Sequence, residues 1–256
     1  MPGPDNPLPT QLDRDLADLK LLEIAQRYRE VLDDAARKGS SMREVLATLI
    51  GMEQAVRQQR ALERRLRQAR LPKQKSLADY DFAFPKRVPK TAIVHLFDCD
   101  FIPRHGCAVL IGPTGTGKSH LLSALGYTAA ERGYSVRHTR VVDMINHLTT
   151  AQINGLLGKA LKTYTRPSLL LLDELGYLPI DKRGADLLFQ VVAARYETGS
   201  IVLSTNRPFR DWGTLFDMDN TLATALIDRL MHHGEAIVIQ GESYRMRGKE
   251  SDSASA

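Results

Sequence analysis

Two rhythms of apolar and polar positions divide the chain. From Leu12 to about Arg70 the apolar residues recur at helical spacing, and no proline interrupts them. Leu16, Leu19, Ile24, Tyr28 and Leu32 mark one amphipathic helix. Gly39-Ser40-Ser41 breaks it, and Ser41 with Glu44 has the spacing of a capping box. A second helical run passes through Val45, Leu46, Leu49 and Ile50 into a strongly basic block, which the pattern also allows to be a third helix. Leu71-Pro72 ends this region, and Lys73 to Pro89 reads as a linker punctuated by Pro85 and Pro89. The proline-rich residues 1–10 are expected to be disordered.

Beyond the linker, short apolar runs alternate with helical patterns. Strands are expected at Cys107–Ile111, Ser135–Arg137, Ser168–Leu172, Ser200–Thr205 and Ile237–Ile239. Helices are expected at Lys118–Arg132, Val142–Leu148, Ala185–Tyr196 and Thr221–His232. Continuously apolar strands alternating with helices imply a parallel central sheet covered on both faces, an α/β fold in three layers. A small all-helical region precedes it.

Length and composition narrow the class. A chain of 256 residues, 43% hydrophobic and 25% charged, can bury one large core with a smaller appendage. No apolar run approaches the ~20 residues that cross a bilayer, and the N-terminus carries no secretory signal pattern. Cys99 and Cys107 adjoin apolar segments without metal-site spacing and read as small buried thiols. A cytoplasmic location, with no membrane partner, is therefore expected. The net charge of +5 is unevenly placed. Arg57, Arg60, Arg64, Arg65, Arg67, Arg70, Lys73 and Lys75 face only Glu63 within their stretch. A local excess of that kind suits a polyanion.

The candidate chemistry begins after the first strand. Gly112-Pro-Thr-Gly-Thr-Gly-Lys-Ser119 fits G-x-x-x-x-G-K-[ST], and strand before with helix after is the context of a P-loop rather than of a mere glycine-rich turn. Its backbone, from Gly112 through Pro113, Thr114, Gly115, Thr116 and Gly117 to His120, would curl around phosphates at a helix N-terminus, with the N–H groups of all but Pro113 free to face them. Lys118 would reach the β- and γ-phosphates of ATP, and Ser119 would ligate Mg2+. The leucine run Leu169–Leu172 delivers Asp173 and Glu174 at a strand's C-terminal end. Asp173 can serve the Mg2+ shell, and Glu174 can polarise a water for attack on the γ-phosphate. Alone the pair would read as an acidic cap; with a P-loop upstream it reads as catalytic. Asn206 ends another apolar strand, where it either orients that water or shapes a turn before Arg207-Pro208. Arg229, in an apolar helical stretch, is either a surface salt-bridge partner or an arginine finger for a neighbouring subunit. His232 and His233 invite a zinc reading, but adjacent residues diverge on a helix and no further ligand stands at metal-site spacing, so zinc is not expected.

In this order the pieces resemble the AAA+ ATPases, and more closely the IstB-type ATP-binding proteins that assist insertion-sequence transposases, with the DnaC helicase loaders as relatives. The resemblance is carried by Arg64-Arg-Leu-Arg67, Ala69-Arg-Leu-Pro72, Ile111–Leu122 and Leu171-Leu-Asp-Glu-Leu-Gly176. Further on it rests on Arg195-Tyr-Glu197, Ser204–Phe209 with Trp212, Asp228–His233 and Gly241-Glu-Ser-Tyr-Arg245. It implies that Asn206 is a sensor, Arg229 the finger, and Arg245 a second arginine near the phosphates. It implies a P-loop AAA+ domain over 76–247, after a helical DNA-binding and assembly region at 1–75 and before a disordered tail at 248–256. Only eleven residues follow Arg245, so no C-terminal helical lid is expected, and trapping of nucleotide is expected to depend on a neighbouring subunit.

That likeness implies DNA transposition. As a helix, the basic block would set Arg57, Arg60, Arg64 and Arg67 on one face and Leu62, Leu66 and Ala69 on the other. Arg70, Lys73 and Lys75 would extend the basic surface along duplex DNA. The expected activity is an ATP-dependent DNA-binding switch: an oligomer that assembles on the duplex, recruits a separate transposase and is released by hydrolysis at Glu174. The alternative from another class is a helicase loader that acts in replication and touches single strands.

Overall fold

The computed structural model describes residues 10–84 and 87–244. The chain divides into two compact units between Arg64 and Arg65.

The first unit is built from α1 (Gln11–Asp18), α2 (Leu22–Lys38) and most of α3 (Met42–Ala69). The single amphipathic helix expected over Leu16–Leu32 is two helices. Lys20 takes a left-handed φ of 58°, which ends α1 and redirects the chain. The apolar period continues across that break because Leu16, Ile24, Val31 and Ala35 pack on one small core of Tyr28, Val45 and Leu49. Gly39 caps α2 in the left-handed conformation. The Ser41–Glu44 capping box forms, with the Ser41 N–H donating to Glu44 at 2.7 Å. The second helical run and the basic block are one helix of 28 residues.

Arg57 has a structural part here. Glu53, only 4% exposed, accepts from the Glu23 and Ile24 N–H groups at the start of α2, at 2.9 and 3.3 Å. No capping side chain precedes that helix, so Glu53 supplies its cap from a distance. Arg57 Nε donates to Glu53 at 2.8 Å, and its terminal nitrogen donates to the Lys20 carbonyl at 2.7 Å.

The second unit begins with the last turn of α3, and α4 is Lys90–Phe97. The alternating core follows as β1 (Cys107–Ile111), α5 (Lys118–Glu131), β2 (Val136–Arg140), α6 (Val141–Ile153), α7 (Leu157–Thr165) and β3 (Leu169–Leu175). Then come α8 (Lys182–Arg195), β4 (Ser200–Thr205), α9 (Trp212–Leu215), α10 (Asn220–Met231) and β5 (Gly234–Val238). All five strands are parallel, in the order β2-β3-β4-β1-β5. Strand residues of one alternation, such as Val109, Leu170, Leu172 and Leu203, join α6, α7, α8 and α10 in the main core. The other alternation faces α5, whose Gly126 lies so close to Leu171 that a Cβ there would stand 2.8 Å from it. No helical element follows β5 among the described residues.

The stretch 65–75, expected to go with the N-terminal helices, packs within this second unit. Arg65 donates to the Ala130 carbonyl at 2.8 Å, Ser123 Oγ donates to the Lys73 carbonyl at 2.9 Å, and Leu71 abuts Gly126.

Candidate functional site

The strands deliver their C-terminal ends to one edge of the sheet, where the loop Gly112–Gly117 joins β1 to α5. Gly115 and Gly117 hold φ of 85° and 89°, a conformation that L side chains adopt only with strain. Space also demands glycine: a Cβ on Gly117 would stand 2.5 Å from the Tyr80 ring, and one on Gly115 2.0 Å from Ser243 Oγ. Gly117 caps α5 without a side chain, so the first N–H groups of that helix stay available to an anion. Lys118 Nζ bridges the Gly112 and Pro113 carbonyls at 2.6 and 2.7 Å. Thr116 Oγ1 closes on the Pro113 carbonyl at 2.9 Å. His120 meets the Ser76 carbonyl at 3.0 Å through its ring nitrogen.

Two carboxylates stand beside this loop in different settings. Asp173 is 6% exposed. Its Oδ1 accepts from Ser119 Oγ at 3.1 Å, from the Glu174 N–H at 3.1 Å and from Ser204 Oγ. Its Oδ2 faces His138 Nε2 at 3.9 Å. Burial works to raise this carboxyl, but the neighbouring His138, Ser204 and Ser119 outweigh it and hold the group below the ordinary aspartate value. Glu174 is turned outward. The register of β3 against β4 slips between Leu172 and Leu175, and Glu174 takes a φ of 63°. This irregularity turns Glu174 out of an otherwise continuously buried strand, so an exposed glutamate stands on the pocket wall next to the buried aspartate. Asn206, at the end of β4, lines the same pocket, and its Oδ1 is buried without a hydrogen-bond partner. An orphan acceptor in a polar pocket is a place for a water or ligand proton.

The pocket encloses about 710 Å3, within the range of one small-molecule ligand. Its walls include Tyr80, Phe84 and Tyr177, which the sequence pattern did not mark, Tyr244 from the Gly241–Arg245 motif, and Lys73 and Lys75 from the supposed linker, expected on a DNA-binding surface. That segment is built rather than loose. Ser76 and Asp79 form a capping box around a short 3-10 turn, and Tyr80 Oη donates to the Thr116 carbonyl at 3.0 Å. The Ser-x-x-Asp spacing followed by Tyr80, Phe82 and Phe84 was the available signal. On the far side the Tyr244 N–H donates to the Gly115 carbonyl at 3.0 Å. Arg245 lies outside the described residues. His138, which no sequence pattern singled out, enters because β2 pairs with β3 and sets it beside Asp173.

Arg229 is not in this pocket. It lines a crevice with Cys107 and Ile201, at the starts of β1 and β4, one strand length (roughly 13–17 Å) from the phosphate loop. It is half-buried, with its guanidinium 4.6 Å above the Phe189 ring and a hydrogen bond to the Ala225 carbonyl at 3.1 Å. Among the described residues no arginine lines the nucleotide pocket. Arg60, Arg64 and Arg67 are exposed, and among the described residues no carboxylate lies within ion-pair distance of them. Arg70 is exposed as well. No helix among the described residues is long and apolar enough to cross a membrane.

Known proteins sharpen this geometry. The family model of the IstB-like ATP binding proteins matches residues 14–252. The ATP-binding protein of insertion sequence IS21 from Pseudomonas aeruginosa is 38% identical over 234 residues, covering 91% of this chain and 88% of its own. That of IS232 from Bacillus thuringiensis subsp. berliner is 36% identical over 245 residues, covering 94% and 98%. Among solved structures, AMPPCP-bound DnaA from Aquifex aeolicus aligns with a TM-score of 0.57 at 20% identity over 73% of this chain and 57% of that one. The DnaC helicase loader aligns with a TM-score of 0.53 at 22% identity over 64% and 97%. The structural likenesses speak for the fold, which is that of the AAA+ proteins. The match over nearly all of its length, together with relatives above one-third identity, makes this chain a member of the IstB-like ATP binding protein family.

Proposed function

We propose that ATP times the assembly of this chain on duplex DNA, and that the DNA-bound oligomer recruits and activates a transposase. Membership of the family gives the chain an ATPase role in transposition; the assembly, the DNA and the recruited partner are our reading.

Within one chain, the first turn of α5 and Lys118 receive the phosphates. Ser119 Oγ and Asp173, 3.1 Å apart, offer the hard oxygen donors that Mg2+ prefers, so these two residues would hold it. When bound, Mg2+ neutralises charge on the β- and γ-phosphate oxygens. Glu174 takes one proton of the attacking water, and Asn206 Oδ1, without a partner of its own, accepts a hydrogen bond from the remaining O–H and holds that water in line. Tyr80, Tyr177 and Tyr244 supply apolar walls for the rest of the nucleotide.

The observation that carries the oligomer is the separation of Arg229 from its own pocket. A cation that stabilises the transferring phosphoryl group must come from somewhere, and the opposite end of the sheet is where a second copy can present one. The exposed Arg60, Arg64, Arg67 and Arg70 then serve phosphates of DNA, with Lys73 and Lys75 shared between DNA and nucleotide pocket. Arg57 contributes charge while its contacts hold α2.

Particle sizing with and without a non-hydrolysable ATP analogue and duplex DNA tests this directly. A large species that needs both is expected. A monomer under every condition removes the proposed role of Arg229. A strong preference for single strands over duplex would instead support a helicase loader.

A further inference from the structure

The turns that close the opposite end of the sheet bring together three ligating side chains that the nucleotide site does not use. Glu197 lies just beyond the end of α8, and His232 and His233 directly follow α10. One ligand atom from each lies within 4.8 Å of the other two, and all three side chains are exposed. His233 Nε2 stands 3.6 Å from Glu197 Oε1, and the two imidazole centroids are 4.2 Å apart. Two consecutive residues on a helix would point about 100° apart. Here α10 ends at Met231, and the chain turns into β5 at Gly234, so the rings converge. No zinc was expected because adjacent residues diverge on a helix; here the helix gives out at its C-cap, His232, and His233 lies beyond it.

The ligands are held from both sides. On the α8 side, the buried guanidinium of Arg195 ties the end of α8 to four carbonyls at the α7–β3 connection and to that of Ser200, and Glu197 is set in a left-handed φ of 56°. On the α10 side, the His233 carbonyl accepts from the Cys107 N–H at 3.1 Å, which fixes this residue to the head of β1. His232 Nδ1 lies 2.9 Å from Tyr196 Oη. A ligating histidine typically has one ring nitrogen oriented in this way by a neighbour while the other faces the metal.

We propose that Glu197, His232 and His233 form a binding site for a divalent transition metal, with Zn2+ the best match. Two imidazole nitrogens and one carboxylate oxygen suit Zn2+ and its first-row neighbours, whereas Mg2+ and Ca2+ prefer oxygen throughout. Zn–N and Zn–O bonds of about 2.0–2.2 Å need the donors to draw together by roughly 1 Å or more, which exposed side chains can do. Three protein ligands leave the fourth tetrahedral position to water. The ion ties the end of α8 to the end of α10, one helical turn from Arg229. The inference makes no use of the nucleotide reading.

The test uses metal-stripped full-length chain, titrated with Co2+ and followed by its visible absorption, with Zn2+ as competitor. One Co2+ per chain, displaced by Zn2+, is expected. His232→Gln and His233→Gln should each weaken Zn2+ at least tenfold, and Tyr196→Phe by about tenfold through loss of its orienting contact. The side-chain NMR signals of the parent chain give a second readout that does not depend on any variant folding. Zn2+ should move those of His232 and His233 and leave those of His95, His105, His120, His138 and His147 in place. Absence of a one-to-one site in the parent, unchanged affinity in the double His232→Gln/His233→Gln variant, or shifts confined to the other histidines would each overturn the proposal.

Discussion

Replacing Arg195 by methionine should cost this protein much of its stability while sparing its nucleotide site. The side chain is 1% exposed, and burial pulls its pKa down to about 10, so the surroundings work against the cation. Its hydrogen bonds offset that cost. One terminal nitrogen donates to the carbonyls of Tyr164, Thr165 and Pro167 at 2.9, 3.2 and 2.8 Å, and the other to those of Ser168 and Ser200 at 3.1 and 2.7 Å. Methionine keeps the volume and removes every donor. The bonds to Tyr164 and Ser200 are fully buried, and an acceptor left unsatisfied in such a place costs about 1–3 kcal/mol. The two together come to about 2–6 kcal/mol. In a domain of this size, 1 kcal/mol moves Tm by roughly 2–4 °C, so a fall of the order of 10 °C is expected. Lysine, with three donors for five carbonyls, should fall between. Circular dichroism melts measure the loss, and titration with a fluorescent ATP analogue well below the transition should give an affinity within about twofold of the parent. A methionine variant that melts within 2 °C of the parent would show that these carbonyls find other partners and that the turn does not depend on Arg195.

Three further outcomes follow from the nucleotide edge. Glu174→Gln should bind ATP and DNA yet lower turnover by about 100-fold or more, the usual contribution of a general base; unchanged turnover in a steady-state phosphate-release assay would remove Glu174 from that role. Gly117→Ala combines a φ of 89° with a Cβ 2.5 Å from the Tyr80 ring, and should weaken ATP binding by about tenfold through a strain of about 1–2 kcal/mol; parental affinity in the same fluorescence titration would mean that Tyr80 yields without cost. Asp173 has a folded pKa below its ordinary value, so its ionised form stabilises the fold at neutral pH, and that contribution is lost as pH falls through the lowered value. Asp173→Asn should therefore be less stable than the parent in urea at pH 7, with the gap closing in acid; a gap that stays constant down to acid unfolding would refute the sign.

The αβ core was legible because each element announces itself locally. Leu169–Leu172 is a buried strand whatever surrounds it, and the helix after the phosphate loop begins where lysine and serine demand. The bounds of β1 and β4 match the apolar runs residue for residue. What was missed has weaker local signals. α7 carries Lys159, Lys162 and Thr165 among few apolar residues and packs through Ala160 and Tyr164 alone among its buried positions. α4 begins directly after Pro89, where the expected linker ended and no element was expected. The break between α1 and α2 rests on one left-handed lysine, which no propensity marks.

The site divides along the same line, and the division bears on how the protein works. The residues proposed to meet phosphate and water stand at strand ends or at the start of α5, where a motif marks them: Lys118, Ser119, Asp173, Glu174 and Asn206 all lie at one edge of the sheet. The residues that wall the nucleotide come from segments far apart in sequence, which meet only in the fold. Arg87 and Gln240 exchange backbone hydrogen bonds, Phe84 packs edge-on to Tyr244 at 5.0 Å, and Tyr80 and Tyr244 reach the phosphate loop from two sides. No local periodicity encodes such a closure, because each half is unremarkable until the other arrives. These two straps meet over the pocket and hold the phosphate loop between them. Arg229, the arginine proposed to act at a phosphate, stands on α10 by the starts of β1 and β4. Among the described residues this pocket has walls from its own chain but no arginine, and on the proposed reading a second copy would supply that charge through its Arg229.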